Sequence, residues 1–232
     1  MKKIVLVIIL GLSFFGYTLT AQPTEGKRPD DKPEIIRDRL LIDVFHSFWM
    51  GMPGEVNSNK LNPGFNISAM WDFKSKSKSP FSFGLGLGVT YYSQFSDAML
   101  QYDRKNDLMK YYVLPNDTMF KRNRVTYINC NIPLEFRYRH SNGFKVTVGV
   151  RVGIVAEISH LYRGNNPDGS INYLNRKSFE IYNKQKFNFD AYLRIGWKYV
   201  SLYYCYQLTP LFERDKGPRI MPMSLGFTWN LF

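Results

Sequence analysis

From residue 40 to the end of the chain, apolar and polar residues alternate with a period of two, and the pattern is cleanest in the closing segment. Met221, Met223, Leu225, Phe227, Trp229 and Leu231 share one face of an extended strand, and Ser224, Gly226, Thr228 and Asn230 share the other. Phe232 ends the chain. An amphipathic strand that stops on an aromatic residue suits the last strand of a closed sheet, and it equally suits a soluble sandwich. Ser224, Gly226, Trp229 and Leu231 also follow the polar-x-Gly-x-x-aromatic-x-hydrophobic spacing of terminal barrel strands. With Phe232, that segment is the expected signal for the barrel-assembly machinery.

The start of the chain sets the compartment. Lys2 and Lys3 precede an apolar run from Ile4 to Phe15, and Leu19-Thr20-Ala21 forms a small-residue exit before Gln22. Residues 1–21 therefore read as a cleavable export signal. A retained membrane helix fits less well, because the run is short and Tyr17, Thr18 and Thr20 follow it. Residues 22–39, rich in proline and balanced charge, read as a solvated periplasmic leader. Beyond the signal no stretch of ~20 apolar residues occurs, so the mature chain can cross a membrane only with strands.

Eight strands are expected near 40–50, 65–73, 80–92, 125–139, 144–160, 187–197, 200–209 and 220–232. Connections 51–64, 93–124, 161–186 and 210–219 are long, while 74–79, 140–143 and 198–199 are short. Short turns on one side and long loops on the other are the habit of outer-membrane barrels, and an even strand number returns both termini to the periplasm. A soluble lipocalin-type barrel would turn the apolar face inward. That face carries Phe83, Leu85, Leu87, Ile132, Leu134, Phe136, Val148, Val150, Val152, Leu193, Ile195, Tyr204, Tyr206 and Phe227, too many large groups for an eight-stranded interior. The expected fold is an all-β, eight-stranded antiparallel transmembrane barrel formed by residues 40–232, with long extracellular loops, in the outer membrane of a bacterium.

Phe73, Phe81, Tyr138, Phe144, Trp197 and Trp229 fall on the apolar face beside the short turns and form an expected membrane-interface girdle. The opposite face carries Asp43, Asp72, Glu135, Glu157 and Asp190 against Arg137, Arg139, Lys145, Arg151 and Arg194. Charges withdrawn from water must be paired, so these residues are expected to form a salt-bridged network that plugs the lumen. Cys130 lies among apolar positions and Cys205 among polar ones, which sets the two thiols on opposite sides of the wall. His46, His140 and His160 sit on different elements, no Ser occupies a Gly-x-Ser-x-Gly elbow, and Gly84-x-Gly86-x-Gly88 is strand packing. No catalytic, cofactor or metal constellation is therefore expected.

Lys and Arg number 31 against 19 Asp and Glu, a formal net charge of +12. For an exported chain that points to outer-membrane lipids and lipopolysaccharide ahead of nucleic acid. The long loops concentrate this charge, in Arg104, Lys105, Lys110, Lys121, Arg122 and Arg124 and in Arg163, Arg176, Lys177, Lys184 and Lys186. Either solubilising charge or a protein or glycan partner explains them. Asp117-Thr118-Met119 matches a short O-glycosylation acceptor.

Asn131-Ile132-Pro133-Leu134-Glu135-Phe136-Arg137-Tyr138 before a tight turn, Val148-Gly149-Val150-Arg151-Val152-Gly153, and Tyr203 to Leu211 followed by Gly217-Pro218 resemble the PorT-like outer-membrane β-barrel family. The resemblance covers residues 40–232. It implies a small outer-membrane barrel with a structural or accessory role, with a link to type IX secretion in the founding member and no catalytic residues. A surface receptor or adhesin is the alternative; a barrel enzyme or porin ranks below both.

Overall fold

The structure is a computed structural model that describes residues 39–58, 61–73, 79–115, 118–166, 173–179 and 181–231. The export signal, residues 22–38 of the leader, Asp117 and Phe232 lie outside the described residues. Eleven strands are present: β1 (Leu40–Met50), β2 (Pro63–Phe73), β3 (Phe81–Phe95), β4 (Ala98–Asp103), β5 (Leu108–Val113), β6 (Phe120–Arg139), β7 (Phe144–Asn165), β8 (Tyr173–Ser178), β9 (Phe187–Trp197), β10 (Val200–Gln207) and β11 (Met221–Leu231). Eight of them, β1, β2, β3, β6, β7, β9, β10 and β11, close into an antiparallel barrel, with β1 paired to β2 on one side and to β11 on the other. The seam runs through eleven register pairs from Leu40↔Leu231 to Met50↔Met221.

Alternation decides which way the wall faces. Val44, Phe65, Ile67, Phe83, Leu85, Leu134, Val148, Val150, Ile195, Leu202 and Phe227 all point outward and are exposed, while Asp43, Asn66, Glu135, Arg151 and Asp190 point inward and are buried. A continuous exposed belt of this size has no place on a soluble surface and belongs in hydrocarbon. On β7 the belt runs from Phe144 to Ile154, which at strand rise and barrel tilt spans about 25 Å. The chain is a transmembrane β-barrel.

The loops depart from the sequence expectation. Residues 98–113, expected as loop, form a separate hairpin of β4 and β5. Residues 120–124 and 161–165 extend β6 and β7 well past the belt, and β8 adds to that extension through six pairs from His160↔Ser178 to Asn165↔Tyr173. Alternation did not reveal them because above the belt both faces meet polar or protein surroundings. The register between Ile128↔Glu157 and Asn129↔Val155 also shifts by one residue, placing a bulge at Ala156.

At Gly226 the seam leaves no room for a side chain: a Cβ there would run into the Val44 carbonyl and the Phe45 backbone. Gly226→Val should therefore prevent β11 from closing on β1. The expected outcome is loss of the folded, heat-modifiable band on gels of refolded protein; a normal shift would show that the strands can separate enough to admit a side chain.

Candidate functional site: the lumen and the loop-end cap

The lumen-facing acids and bases meet in an alternating chain. Arg139 Nη1 donates to Asp72 Oδ2 at 2.9 Å, and Asp72 also accepts from Arg137. Arg137 in turn donates to Glu135, and Arg194 joins Glu135 to Asp43. The last link is bidentate, Nε to Oδ1 at 3.1 Å and Nη2 to Oδ2 at 2.8 Å. Three bases and three acids from β1, β2, β6 and β9 thus cross the interior without a break. Two of the acids take further donors. Asp43 accepts from Thr228 at 2.6 Å and from Asn66 at 2.8 Å, and Glu135 accepts from the Tyr192 hydroxyl at 2.7 Å.

Lys145 is buried at the turn end, near Arg139 in register. Arg151 and Asp190 face each other on β7 and β9 and are both buried, but they form no direct ion pair. Instead the Arg151 guanidinium lies 4.5 Å from the Tyr192 ring centroid and 5.5 Å from that of Tyr203, and it donates to the Tyr203 hydroxyl and to Thr90. Asp190 accepts from Asn188 Nδ2 at 3.1 Å. Stacked aromatic rings and polar neighbours take the place of the expected direct pair.

Glu157 does not belong to this network. The bulge at Ala156 reverses the facing of β7, so Ile158, His160 and Tyr162 turn inward and Glu157 turns outward, where Lys177 Nζ lies 3.7 Å away. A strict two-residue period cannot register one inserted residue.

The girdle residues Phe73, Phe81, Tyr138, Phe144, Trp197 and Trp229 all lie on the outer face. Phe81 packs on Tyr138 at 5.2 Å between ring centroids, Phe144 on Trp197 at 6.5 Å, and Trp229 on Phe227 at 6.4 Å. In the closing strand Ser224 is buried in the lumen and Trp229 and Leu231 face out. Cys130 is exposed on the outer wall and Cys205 is buried inside. Among the described residues no group of three or more His, Cys, Asp or Glu is placed to hold a metal ion.

The loop end carries a second filling that sequence reasoning missed. Trp49, Tyr92, Leu100, Met109, Ile158, Ile181, Leu211, Phe212 and Ile220 form a buried apolar cluster across the mouth, drawn from barrel strands, the β4–β5 hairpin and two loops. Backbone bonds bind the loops together: Met109 N–H donates to Lys216 O at 2.9 Å and Gln185 N–H to Leu211 O at 2.9 Å. Asp107 at the hairpin turn accepts from Asn183 Nδ2 at 2.9 Å, from the Tyr102 hydroxyl at 2.7 Å and from Lys216. Those partners, Asn183 first, hold its carboxyl well below the usual carboxylate range. The only hint in the sequence was the cluster of Ile181, Leu211, Phe212 and Ile220 in segments otherwise polar.

His160 sits above the belt, with Nε2 2.6 Å from Asn123 Oδ1. Asn123 Nδ2 donates to the carbonyls of Ser96 and Ala98 at 3.0 and 2.9 Å, tying the root of the hairpin to the wall.

No family model and no curated protein sequence matches this chain. Among solved structures it is similar to Ail, the attachment invasion locus protein of Yersinia pestis, at 12% identity over 82% of this chain and 95% of that one, with a TM-score of 0.38. A second structure of Ail, in complex with the heparin analogue sucrose octasulfate, gives 11% identity, the same coverage and a TM-score of 0.37. The likeness is one of overall outline.

Two outcomes are expected. Arg194→Ala leaves Asp43 and Glu135 facing each other without their shared cation, and should destabilise the barrel by about 3–5 kcal/mol, measured as unfolding in urea from lipid vesicles. His160 titrates near pH 4, pushed down by burial first and by Arg176 second, against about 6.5 in an open chain. The closed head refuses a proton that the open form takes up, so its stability is full above pH ~6.5 and falls as pH drops towards 4. Hydrogen exchange at the upper amides of β6 and β7 should accelerate over that window, and His160→Gln should flatten the profile.

Proposed function

We propose that the chain is a non-conducting, non-enzymatic outer-membrane barrel in a structural or accessory role, with its loop end outside the cell and both termini periplasmic. The observation that carries this reading is the double closure of the interior, by the charge chain within the wall and by the apolar cluster across the mouth. A barrel filled in this way offers no aqueous path, and the lumen groups are engaged with one another in place of a substrate. What is left to work with is the head. Its surface carries exposed Tyr112, Met119, Tyr173 and Tyr182 beside the loop cations, and exposed aromatic groups beside Arg and Lys favour docking of a protein or glycan. The motif resemblance to PorT-like barrels favours a component of a secretion machine as that partner. The receptor or adhesin reading uses the same surface with a glycan.

Planar bilayers test the first half: full-length protein should show no stable ohmic conductance, and a large, steady one would overturn the reading in favour of a porin. A photo-crosslinking residue at Tyr112 or Met119 tests the second. One reproducible protein adduct in intact cells supports the docking role, and adducts no different from those of a belt position such as Val150 would refute it.

A further inference from the structure

Above the belt, the outward faces of β6, β7 and β8 form a small grid. One row reads Arg124, Leu161, Lys177 across the three strands, and the next reads Arg122, Arg163, Asn175. Four of the six positions are cations. Side chains directly opposite on one sheet face sit ~5 Å apart, and like charges placed so repel. Arg122 faces Arg163 in this manner.

Counter-charge among the described residues is sparse. Lys177 lies 3.7 Å from Glu157, and Arg163 Nε donates to the neutral Asn175 at 2.9 Å. Arg122 and Arg124 form no ion pair with any described carboxylate. Arg124 Nε is moreover shut off from solvent with no hydrogen-bond partner among the described residues. An arrangement that is repulsive within the chain becomes favourable once an anion sits over it, and arginine forks suit phosphate oxygens.

Position selects the anion. Arg124 is four residues past Ile128, where the apolar face of β6 ends, which at strand rise and tilt is roughly 10 Å above the hydrocarbon boundary. Arginine stems reach back over part of that distance. The grid also looks sideways from the wall, towards neighbouring lipids, whereas a soluble polymer would meet the top of the head.

We propose that Arg122, Arg124, Arg163 and Lys177 form a binding site for the phosphate of a glycolipid in the outer leaflet, a phosphorylated lipid A. The assignment rests on the outward orientation of the loop end given above, but not on any docking partner of the head.

Native mass spectrometry of the full-length protein in detergent, with diphosphorylated lipid A added, tests it. Wild type should retain one lipid, and Arg122→Gln/Arg163→Gln should retain it at least tenfold less while keeping its heat-modifiable gel shift. Removing the same charge elsewhere, in Arg214→Gln/Arg219→Gln, should change nothing, and dephosphorylated lipid A should bind wild type at least tenfold more weakly. Equal retention by the grid variant overturns the site. Inorganic phosphate bound as tightly as lipid A overturns the lipid assignment. So does capture of soluble heparin that the grid variant loses while its lipid A retention stays the same. Each readout is binding in detergent, so failure here leaves the crosslinking result of the head untouched.

Discussion

An eight-stranded wall encloses a space too narrow for bulk water, and ionised groups inside it must solve their solvation among themselves. The chain Arg139–Asp72–Arg137–Glu135–Arg194–Asp43 is the solution adopted here. Each inner member touches two opposite charges, so none depends on a single partner. The links join β2 to β6, β6 to β9 and β9 to β1, strands that are not neighbours in the wall. Hydrogen bonding between adjacent strands fixes the circumference, and the charges fix the cross-section. One level higher, Asn66, Thr90 and Asn131 tie the neighbouring strands β2, β3 and β6 together, with Thr90 donating to Asn66 at 2.9 Å and accepting from Asn131 at 2.8 Å, and Arg151 reaches Thr90 across the lumen from β7 at 3.3 Å.

With the cross-section braced by polar contacts, the outer face is free to be uniformly apolar, since no core has to be built from it. That inversion explains how a chain with so many exposed aromatic and aliphatic side chains can fold as one unit. It also explains the glycines of β3. A Cβ on Gly84 would stand only 3.0–3.2 Å from the Arg137 guanidinium, and one on Gly88 would stand 2.6 Å from Ser68 Oγ and 2.8 Å from Asn131 Oδ1. The missing side chains make room for the groups that reach across.

The wall was legible in the sequence because its two faces meet media of opposite polarity, and a period of two records that contrast directly. Asp43, Asp72, Glu135, Arg137, Arg139, Lys145, Arg151, Asp190 and Arg194 fall on the inner face for this reason. Who pairs with whom was not legible. Arg151 opposite Asp190 looks like a pair in register, yet the guanidinium is drawn onto Tyr192, two residues along the same strand as Asp190, and onto Tyr203 of β10, the next strand round the wall. The head was hidden for the opposite reason. Its strands have protein on one side and solvent on the other, both tolerant of mixed residues, so β4, β5 and β8 carry no clean alternation. The cap residues Leu211 and Ile220 are joined across their own connection by Leu211 N–H to Ile220 O at 2.9 Å and tied to the preceding loop by Gln185 N–H to Leu211 O, contacts that no local period records.

The bulge at Ala156 joins the barrel to the head. Up to Ile154 the even-numbered residues of β7 face lipid; beyond the bulge it is Glu157, Leu161 and Arg163 that face outward. Without the extra residue, Ile158, His160 and Tyr162 would stand on the outside above the belt, and Leu161 and Arg163 would point inward. The first set would be lost to the cap, where Ile158 packs in the apolar cluster and His160 holds the Asn123 clamp. Arg163 would be buried in the mouth without a carboxylate. One inserted residue therefore does two things at the height where the surroundings of the wall change: it turns apolar groups in to seal the mouth and turns a cation out towards the headgroups. A bulge is the least disruptive way to make that exchange, because the hydrogen-bond ladder resumes on both sides of it.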